Sequence, residues 1–127
     1  MLEKIRIVMV EPSHSGNIGA AARAMKTMGL TQLTLVGVDN FPDQQALTLA
    51  SGADDILQNA MLVNSVPEAL EGVEVVYGTS ARSRHLPWPV LNPRETATQC
   101  IRHAGSSAIV FGRERSGLTN DELALCH

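Results

Sequence analysis

The fold is decided by the stretch IRIVMVEPSHSGN, residues 5–17. Ile5–Val10 is apolar apart from Arg6, which is typical of a short strand buried on both faces. Glu11–Asn17 is rich in turn-forming residues, and the apolar residues that follow between Ile18 and Met25 recur at helical spacing. A strand, a loop and a helix in this order predict a βα unit.

The rest of the chain repeats this alternation of apolar runs and helical patterns. It predicts strands at Leu33–Val36, Met61–Val63, Val73–Tyr77 and Ala108–Phe111, and helices at Gln44–Ser51, after a capping box at Ser65–Glu68, from Asn92 to about His103 and from Thr119 onward. Gly29 is expected to end the first helix as a C′ residue. We therefore expect an α/β domain with a mostly parallel sheet and flanking helices.

The composition is that of one globular domain, which we expect to span residues 1–127. Of the 127 residues, 44% are hydrophobic and 18% are charged. No run approaches the roughly 20 apolar residues that cross a bilayer, and the N terminus shows no secretory signal. Cys100 and Cys126 have neither metal-ligand spacing nor a disulfide pattern. These features predict a cytoplasmic protein without a membrane segment, and the net charge of −3 counts against a general nucleic-acid binder.

Three segments at the ends of predicted strands carry the candidate chemistry, because ligands of open α/β sheets bind outside the carboxyl ends of the strands. In the first segment, Asn17–Arg23, the glycines Gly16 and Gly19 allow close backbone approach, and the helix N terminus offers N–H donors to an anion. Arg23 is predicted to face away from the buried side of the helix. The alternative is that Asn17 only caps the helix and that Arg23 is a solvated surface residue.

The second segment, Gly78–Arg84, places small hydroxyl residues directly after an apolar strand. Arg82 and Arg84 are candidates for contacts with phosphates. Trp88 follows in a proline-rich stretch, where it either packs over a ligand or fastens the loop to the core.

The third segment, Phe111–Leu118, places Arg113, Glu114 and Arg115 between two glycines directly after a strand. Half-buried charges are costly unless they are paired. This favours charges that pair or face a ligand over a solvated, hairpin-like loop.

Several common enzyme signatures are missing from the sequence. It has neither the glycine fingerprint of dinucleotide-binding folds nor a Walker motif. Its histidines are scattered without metal spacing, and Ser80 lacks a nucleophile elbow. Metal-dependent and triad hydrolase chemistries are therefore disfavoured.

Taken in order, the three segments resemble the SPOUT methyltransferases, in particular their SpoU-like branch, over nearly the whole chain. The matching residues are Asn17, Gly19 and Arg23, then Val76–Arg82, then Val110–Leu118. The residues Ala22–Leu30 and Thr79–Arg84 look most similar to bacterial enzymes that methylate the ribose 2′-hydroxyl of the tRNA anticodon-loop pyrimidine at position 32.

The resemblance implies an S-adenosylmethionine-dependent RNA 2′-O-ribose methyltransferase that acts on tRNA as a homodimer and needs no metal. It also implies a C-terminal trefoil knot and active sites that the neighbouring subunit completes. The family's third motif, which forms much of the knot and the cofactor pocket, would follow Cys126 and is absent from residues 1–127. We therefore expect the catalytic domain to be incomplete at its C terminus.

The resemblance also assigns roles to residues. Arg23 and Asn17 are the implied catalytic residues, with Arg23 reaching the cofactor of the other subunit. Because a guanidinium stays charged in proteins, we expect Arg23 to stabilise the developing alkoxide rather than to act as a general base. The implied cofactor-binding residues are Thr79, Ser80, Ala81, Gly112, Arg113, Glu114, Gly117 and Leu118, and the candidate RNA-binding residues are Arg82, Arg84 and Arg115.

Two other functions stay open at this point. One is a non-catalytic RNA-binding module that has lost cofactor binding, and a test of cofactor binding separates it from an enzyme. The other is an unrelated small nucleotide-binding α/β protein, which predicts a monomer without affinity for RNA.

Overall fold

The structure, a computed structural model, describes residues 2–39, 41, 43–79, 93–114 and 116–126. Five strands form one parallel sheet in the order β3-β2-β1-β5-β4, which confirms the predicted α/β class. The elements are β1 (Ile5–Val10), α1 (Ser15–Met28), β2 (Gln32–Val36), α2 (Gln44–Ala50), α3 (Asp54–Gln58), β3 (Met61–Val63), α4 (Val66–Ala69), β4 (Val75–Gly78), α5 (Pro93–Arg102), β5 (Ser107–Phe111) and α6 (Asn120–Leu123). The trefoil knot stays a prediction.

The central strand β1 shows why the strands of this sheet are nearly continuous apolar runs in the sequence. Its side chains alternate between two apolar clusters, with Ile5 and Ile7 on one face of the sheet and Val8 and Val10 on the other. Because helices cover both faces, residues on both sides of this strand are buried, and only Arg6 and Met9 are half-buried.

Helices on the two faces supply different side chains to these clusters. On one face α1, α2 and α3 contribute Ile18, Ala46 and Ile56, and on the other face α4 and α6 contribute Val66 and Leu123. The sheet is therefore the middle layer of three, and its carboxyl edge is framed by loops from both sides.

Gly19 serves the packing of α1 on α2. A Cβ atom at this position would collide with the carbonyl oxygen of Ala46 and would lie 3.1 Å from the backbone nitrogen of Ala50. The close backbone approach that the sequence indicated at Gly19 is therefore made by a neighbouring helix, and not by an anion.

Most predicted elements are confirmed, with differences at their ends. β1 and β3 have the predicted bounds, whereas β4 begins at Val75 instead of Val73. The amide of Val73 donates to the carbonyl of Leu70 at the end of α4, so it is not available to the sheet. Pairing starts where Val75 lies opposite Ser107 in β5.

Helix ends follow the sequence signals where a cap is present. Gly29 ends α1 in a left-handed conformation with φ of 80°, and the side chain of Ser65 accepts a hydrogen bond from the amide of Glu68 at the start of α4, as predicted. The predicted Gln44–Ser51 helix ends at Ala50, and α3 was not predicted because five residues are too few to show a helical period. The capping residue Asn92 lies outside the described residues.

Every helix among the described residues is too short or too polar to span a lipid bilayer.

Candidate functional site

The three predicted segments follow strands that are neighbours in the sheet. β5 lies between β1 and β4, and Met9 lies opposite Phe111 while Val110 lies opposite Gly78. Thr79 continues this arrangement, because its amide and its hydroxyl both donate to the carbonyl of Val110, at 3.0 and 3.2 Å. The described parts of the three segments therefore meet at one edge, as expected for parallel strands.

The Glu114 carboxylate joins the third segment to the start of α1. It accepts hydrogen bonds from the amide of Ser13 at 3.0 Å, from the Ser13 hydroxyl at 2.8 Å and from Asn17 Nδ2 at 3.1 Å. Partial burial raises the pKa of Glu114, but these hydrogen bonds outweigh it and hold the pKa at about 2. Glu114 is therefore ionised at any physiological pH.

This contact changes the interpretation of the α1 N terminus. The helix begins at Ser15, so Asn17 lies in the first turn and does not cap the helix, and the N-cap residue His14 makes no side-chain cap bond. The anion that binds beside this helix N terminus is the chain's own Glu114. The Asn17 side chain thus donates a hydrogen bond to Glu114, a contact that the sequence did not indicate.

Arg113 is paired within the chain. Its guanidinium donates to both oxygens of Glu122, at 2.9 and 3.0 Å, and also to Glu11. Hydrogen bonding to Glu122 is the main reason why the pKa of Arg113 is raised above its ordinary value, and the same contact lowers the pKa of Glu122. For the third segment the structure supports paired charges over solvated ones, since Arg113 is paired within the chain, although the loop itself is hairpin-like.

The backbone of the third segment forms a closed turn. The amide of Arg113 donates to the carbonyl of Gly117 at 3.2 Å, and the amide of Gly117 donates back to Arg113 at 2.9 Å. A Cβ atom at Gly112 would collide with the Gly117–Leu118 backbone, and Gly117 has a φ of 67°. Leu118 is buried in the apolar cluster, so Gly112, Gly117 and Leu118 can offer a ligand mainly backbone groups.

The end of β4 packs against the C-terminal part of the described chain. A Cβ atom at Gly78 would lie 2.6 Å from Cys126 Sγ and 3.3 Å from Leu118 and Leu123. Burial raises the pKa of the Cys126 thiol to about 11, so this cysteine stays protonated and packs as an apolar residue.

Arg23 lies apart from this cluster within one chain. It is exposed on α1, opposite the buried residues Ile18, Ala22 and Met25, and its side chain has no hydrogen-bond or ion-pair partner among the described residues. It lies six positions after Asn17, which is about 9 Å along a helix axis. Within a single chain Arg23 is therefore exposed to solvent, which both alternatives allow, and its catalytic role stays a prediction.

Several predicted residues lie outside the described residues: Ser80, Ala81, Arg82, Arg84, Trp88 and Arg115. Sequence reasoning missed Ser13, Glu11 and Glu122. Glu122 gave a signal, because it occupies the third helical position of a capping box that starts at Thr119. Glu11 gave none, since its left-handed φ of 46° is uncommon for a residue other than glycine. Within the described ranges, no group of three or more metal-ligating side chains occurs.

A three-layer α/β domain with paired, charged loops at the carboxyl edge of its parallel sheet is typical of domains that bind small ligands at that edge. The family model described as SpoU rRNA Methylase family matches residues 4–127, and the chain belongs to this family.

Individual relatives are consistent with this family. The chain is 58% identical over 129 residues to the tRNA (cytidine/uridine-2′-O-)-methyltransferase TrmJ of Salmonella typhimurium, covering 100% of this chain and 53% of that protein. A structure described as a probable methylase family protein from Haemophilus influenzae Rd KW20 is 57% identical with a TM-score of 0.95, covering 100% of this chain and 54% of that one. The chain thus spans about half the length of these relatives.

The fold is also shared with a more distant structure. The SpoU methyltransferase AviRb from Streptomyces viridochromogenes, solved in complex with AdoMet, is 20% identical with a TM-score of 0.67, covering 94% of this chain and 47% of that one. At this identity the likeness concerns the fold alone.

Proposed function

We propose that the protein is an S-adenosylmethionine-dependent tRNA methyltransferase that methylates the ribose 2′-oxygen of the anticodon-loop pyrimidine at position 32. Membership of the SpoU family and 58% identity to a tRNA 2′-O-methyltransferase support this activity. The observation that carries the proposal is the contact of Glu114 with Ser13 and Asn17. It joins the loops after β1 and β5 at the edge where Thr79 also lies.

Two features of this edge fit S-adenosylmethionine. Phe111, at the end of an interior strand, is 41% exposed and lies beside the partly buried Met9. These two side chains leave apolar surface on which the adenine of the cofactor could pack. Three carboxylates, those of Glu11, Glu114 and Glu122, share the edge with one described guanidinium, that of Arg113, which favours a cationic ligand. When bound, the cofactor would supply a methyl group on a sulfonium sulfur, which would depart as a neutral thioether, so the transfer needs no metal.

The residues proposed to hold the cofactor are Thr79, Ser80, Ala81, Gly112, Arg113, Glu114, Gly117 and Leu118. The side chains of Arg113 and Leu118 are already engaged, one with carboxylates and the other in the core. These two residues would therefore contribute backbone groups, whereas Glu114 and Thr79 place polar side-chain atoms at the edge.

Arg23 is proposed to orient the ribose and to stabilise negative charge on its 2′-oxygen. A guanidinium keeps its charge in proteins, and a fixed cation beside a developing alkoxide lowers the barrier. The 2′-hydroxyl proton would then pass to an RNA phosphate oxygen or to water. Arg23 points away from the sheet that its own helix covers. A homodimer, in which Arg23 of one subunit completes the site of the other, brings it to a cofactor.

The substrate is proposed to contact the segment after β4 and the third segment, where Arg82, Arg84 and Arg115 supply cations for phosphates. We assign residues 1–127 to the catalytic domain of the protein and place the enzyme, like its substrate, in the cytoplasm.

The test of the proposed function is mass-spectrometric mapping of ribose methylation in tRNA from cells that lack the gene. We expect the 2′-O-methyl group at position 32 to be lost and to return when the full-length gene is restored. Methylation that persists unchanged would overturn the proposal. Calorimetry of the full-length protein with S-adenosylmethionine adds a second criterion, since an absence of binding would leave a non-catalytic RNA-binding module.

Substitution of Arg23 tests its proposed role. We expect Arg23→Ala to lower the rate of methyl transfer by about 10²–10³-fold, the usual effect of losing one electrostatic stabiliser. The matched control is Lys26→Ala, which removes another exposed cation from α1, one that pairs with Asp55 at 2.8 Å. Equal losses of activity in the two variants, measured at saturating cofactor, would contradict a specific role for Arg23.

A further inference from the structure

Arg113 and Glu114 are adjacent residues whose side chains bind in different directions. Arg113 binds Glu122 and Glu11, whereas Glu114 binds Ser13 and Asn17. Both residues belong to the turn that the hydrogen bonds between Arg113 and Gly117 close. A displacement of Arg113 therefore moves Glu114 as well.

Glu122 is held rigidly on the Arg113 side. Its carboxylate accepts a hydrogen bond of 2.7 Å from the amide of Thr119, while the Thr119 hydroxyl accepts one of 3.1 Å from the amide of Glu122. The side chains of Arg113 and Glu122 are only 24% and 15% exposed. A bidentate, largely buried pair of this kind fixes an orientation as well as a distance.

Glu11 holds Arg113 from the end of β1. Its backbone adopts a left-handed φ of 46°, although its amide still donates to the carbonyl of Val36 at 2.9 Å. The side chain then passes over Gly37, where a Cβ atom would lie 3.1 Å from Glu11 Cγ. Strained backbone of this kind persists where surrounding contacts require it, and it is concentrated at functional sites.

We infer that Glu11 and Glu122 are positioning residues, which act through Arg113 to hold the Glu114 carboxylate against Ser13 and Asn17 at the start of α1. The catalytic part of this inference rests on the proposed methyltransferase function. Because α1 also carries Arg23, the same contacts fix the position of the helix that presents the proposed catalytic guanidinium.

The decisive experiment follows the Glu114 carboxyl by NMR during acid titration of the full-length protein. The variants are Glu122→Gln and Glu11→Gln, which keep the size of each side chain. Glutamine is also accepted at the third position of a capping box, so Glu122→Gln removes charge and leaves the helix start intact. The matched control is Glu68→Gln, at the same position of the Ser65 cap on α4, where Ser65 Oγ lies 3.1 Å from the Glu68 carboxylate.

The direction of the titration shift separates positioning from simple electrostatics. Removal of a nearby negative charge alone lowers the pKa of Glu114, whereas loss of its hydrogen bonds raises the pKa from about 2 towards its ordinary value of 4.5. We expect a rise in Glu122→Gln and in Glu11→Gln, and no change in Glu68→Gln. A fall or no change in both site variants would overturn the inference, whatever the protein catalyses.

Kinetics of the full-length protein provide the catalytic readout. We expect Glu122→Gln and Glu11→Gln to lower kcat roughly tenfold or more, since small misplacements of a reacting group are costly, with little change in KM for tRNA. Glu68→Gln should retain the parent kcat. A loss confined to the KM for tRNA, with kcat intact, would contradict a positioning role, while an inactive parent protein would count against the proposed function alone.

Discussion

The two edges of the sheet use charged side chains in opposite ways. At the amino edge, two cations donate to backbone carbonyls: Arg6 Nη1 donates to Ala69 at 2.7 Å and Glu71 at 3.0 Å, at and just after the end of α4, and Lys4 donates to Ile101 and His103 at the end of α5. At the carboxyl edge, carboxylates bind amides at helix starts, with Glu114 at α1 and Glu122 at α6.

Both arrangements follow from the unpaired groups at helix ends, which favour cations at the C terminus and anions at the N terminus. The two edges differ in the partners of their charged side chains. Arg6 and Lys4 at the amino edge donate to carbonyls, whereas at the carboxyl edge Arg113 links Glu122 to Glu11 across two loops. We therefore expect the contacts of Arg6 and Lys4 with carbonyls to stabilise the fold, and those of Arg113 with two carboxylates to hold the loops of the candidate site in position.

The largest expected difference between the edges is in the stability lost when one glycine at each edge is replaced by alanine. Gly112→Ala places a methyl group into the backbone of Gly117 and Leu118, whereas Gly105→Ala meets only the side chain of Glu74, which is 61% exposed and can turn away. We expect Gly112→Ala to lower the free energy of unfolding by about 1–3 kcal/mol, as overpacking usually does, and Gly105→Ala by clearly less. Urea denaturation measures both, and equal losses would break the comparison.

Periodicity predicted the architecture well because it reports burial. The runs at Ile5–Val10 and Ala108–Phe111 are almost wholly apolar since helices cover both faces of the sheet, and the structure places both strands in its interior. Ends of elements were harder to predict. Val73 looks like a strand residue by composition, but its amide is taken by the end of α4, and such a tertiary choice leaves no trace in a local pattern.

The sequence indicated where the three segments would meet, but not which residues they would contact. Glycines and charges after apolar strands pointed to the carboxyl edge, where the structure brings the described parts of these segments together, while the binding role of Glu114 stays a prediction. The partner of Glu114 was not foreseen, because Ser13 lies 101 residues away in the chain and belongs to a loop that looks like an ordinary turn. Pairings of this separation depend on the sheet order, which the sequence does not state.

A smaller effect is expected when the carboxylate of Glu114 is neutralised. Because its folded pKa of about 2 lies below the ordinary 4.5, its contribution to stability is complete above about pH 4.5 and is lost as the pH falls towards 2. Glu114→Gln should therefore lower the free energy of unfolding at pH 7, by about 1 kcal/mol given the exposure of this group, and should flatten the loss of stability between pH 4.5 and 2.

Urea denaturation of Glu114→Gln and the parent chain at pH 7, 4.5 and 2.5 checks this prediction. The two free-energy curves should converge as the pH falls, because the parent carboxyl becomes protonated. Parallel curves over this range would mean that Glu114 contributes nothing through its charge. Affinity for S-adenosylmethionine, measured on the full-length protein, should fall in the variant.

The smallest effect is expected at the amino edge. Arg6→Met keeps the apolar stem of the side chain and removes the donors that bind the carbonyls of Ala69 and Glu71. A cation at a helix C terminus contributes about 0.3–1 kcal/mol, so the free energy of unfolding should fall by an amount in that range, while cofactor affinity and kcat stay at parent values. Glu114→Gln should instead lower both stability and cofactor affinity, although each variant removes one charge from one end of a helix. If Arg6→Met lowered cofactor affinity as strongly as Glu114→Gln, charges at the two edges would not differ in their role, and the pairing of Arg113 with Glu11 and Glu122 would not distinguish the carboxyl edge.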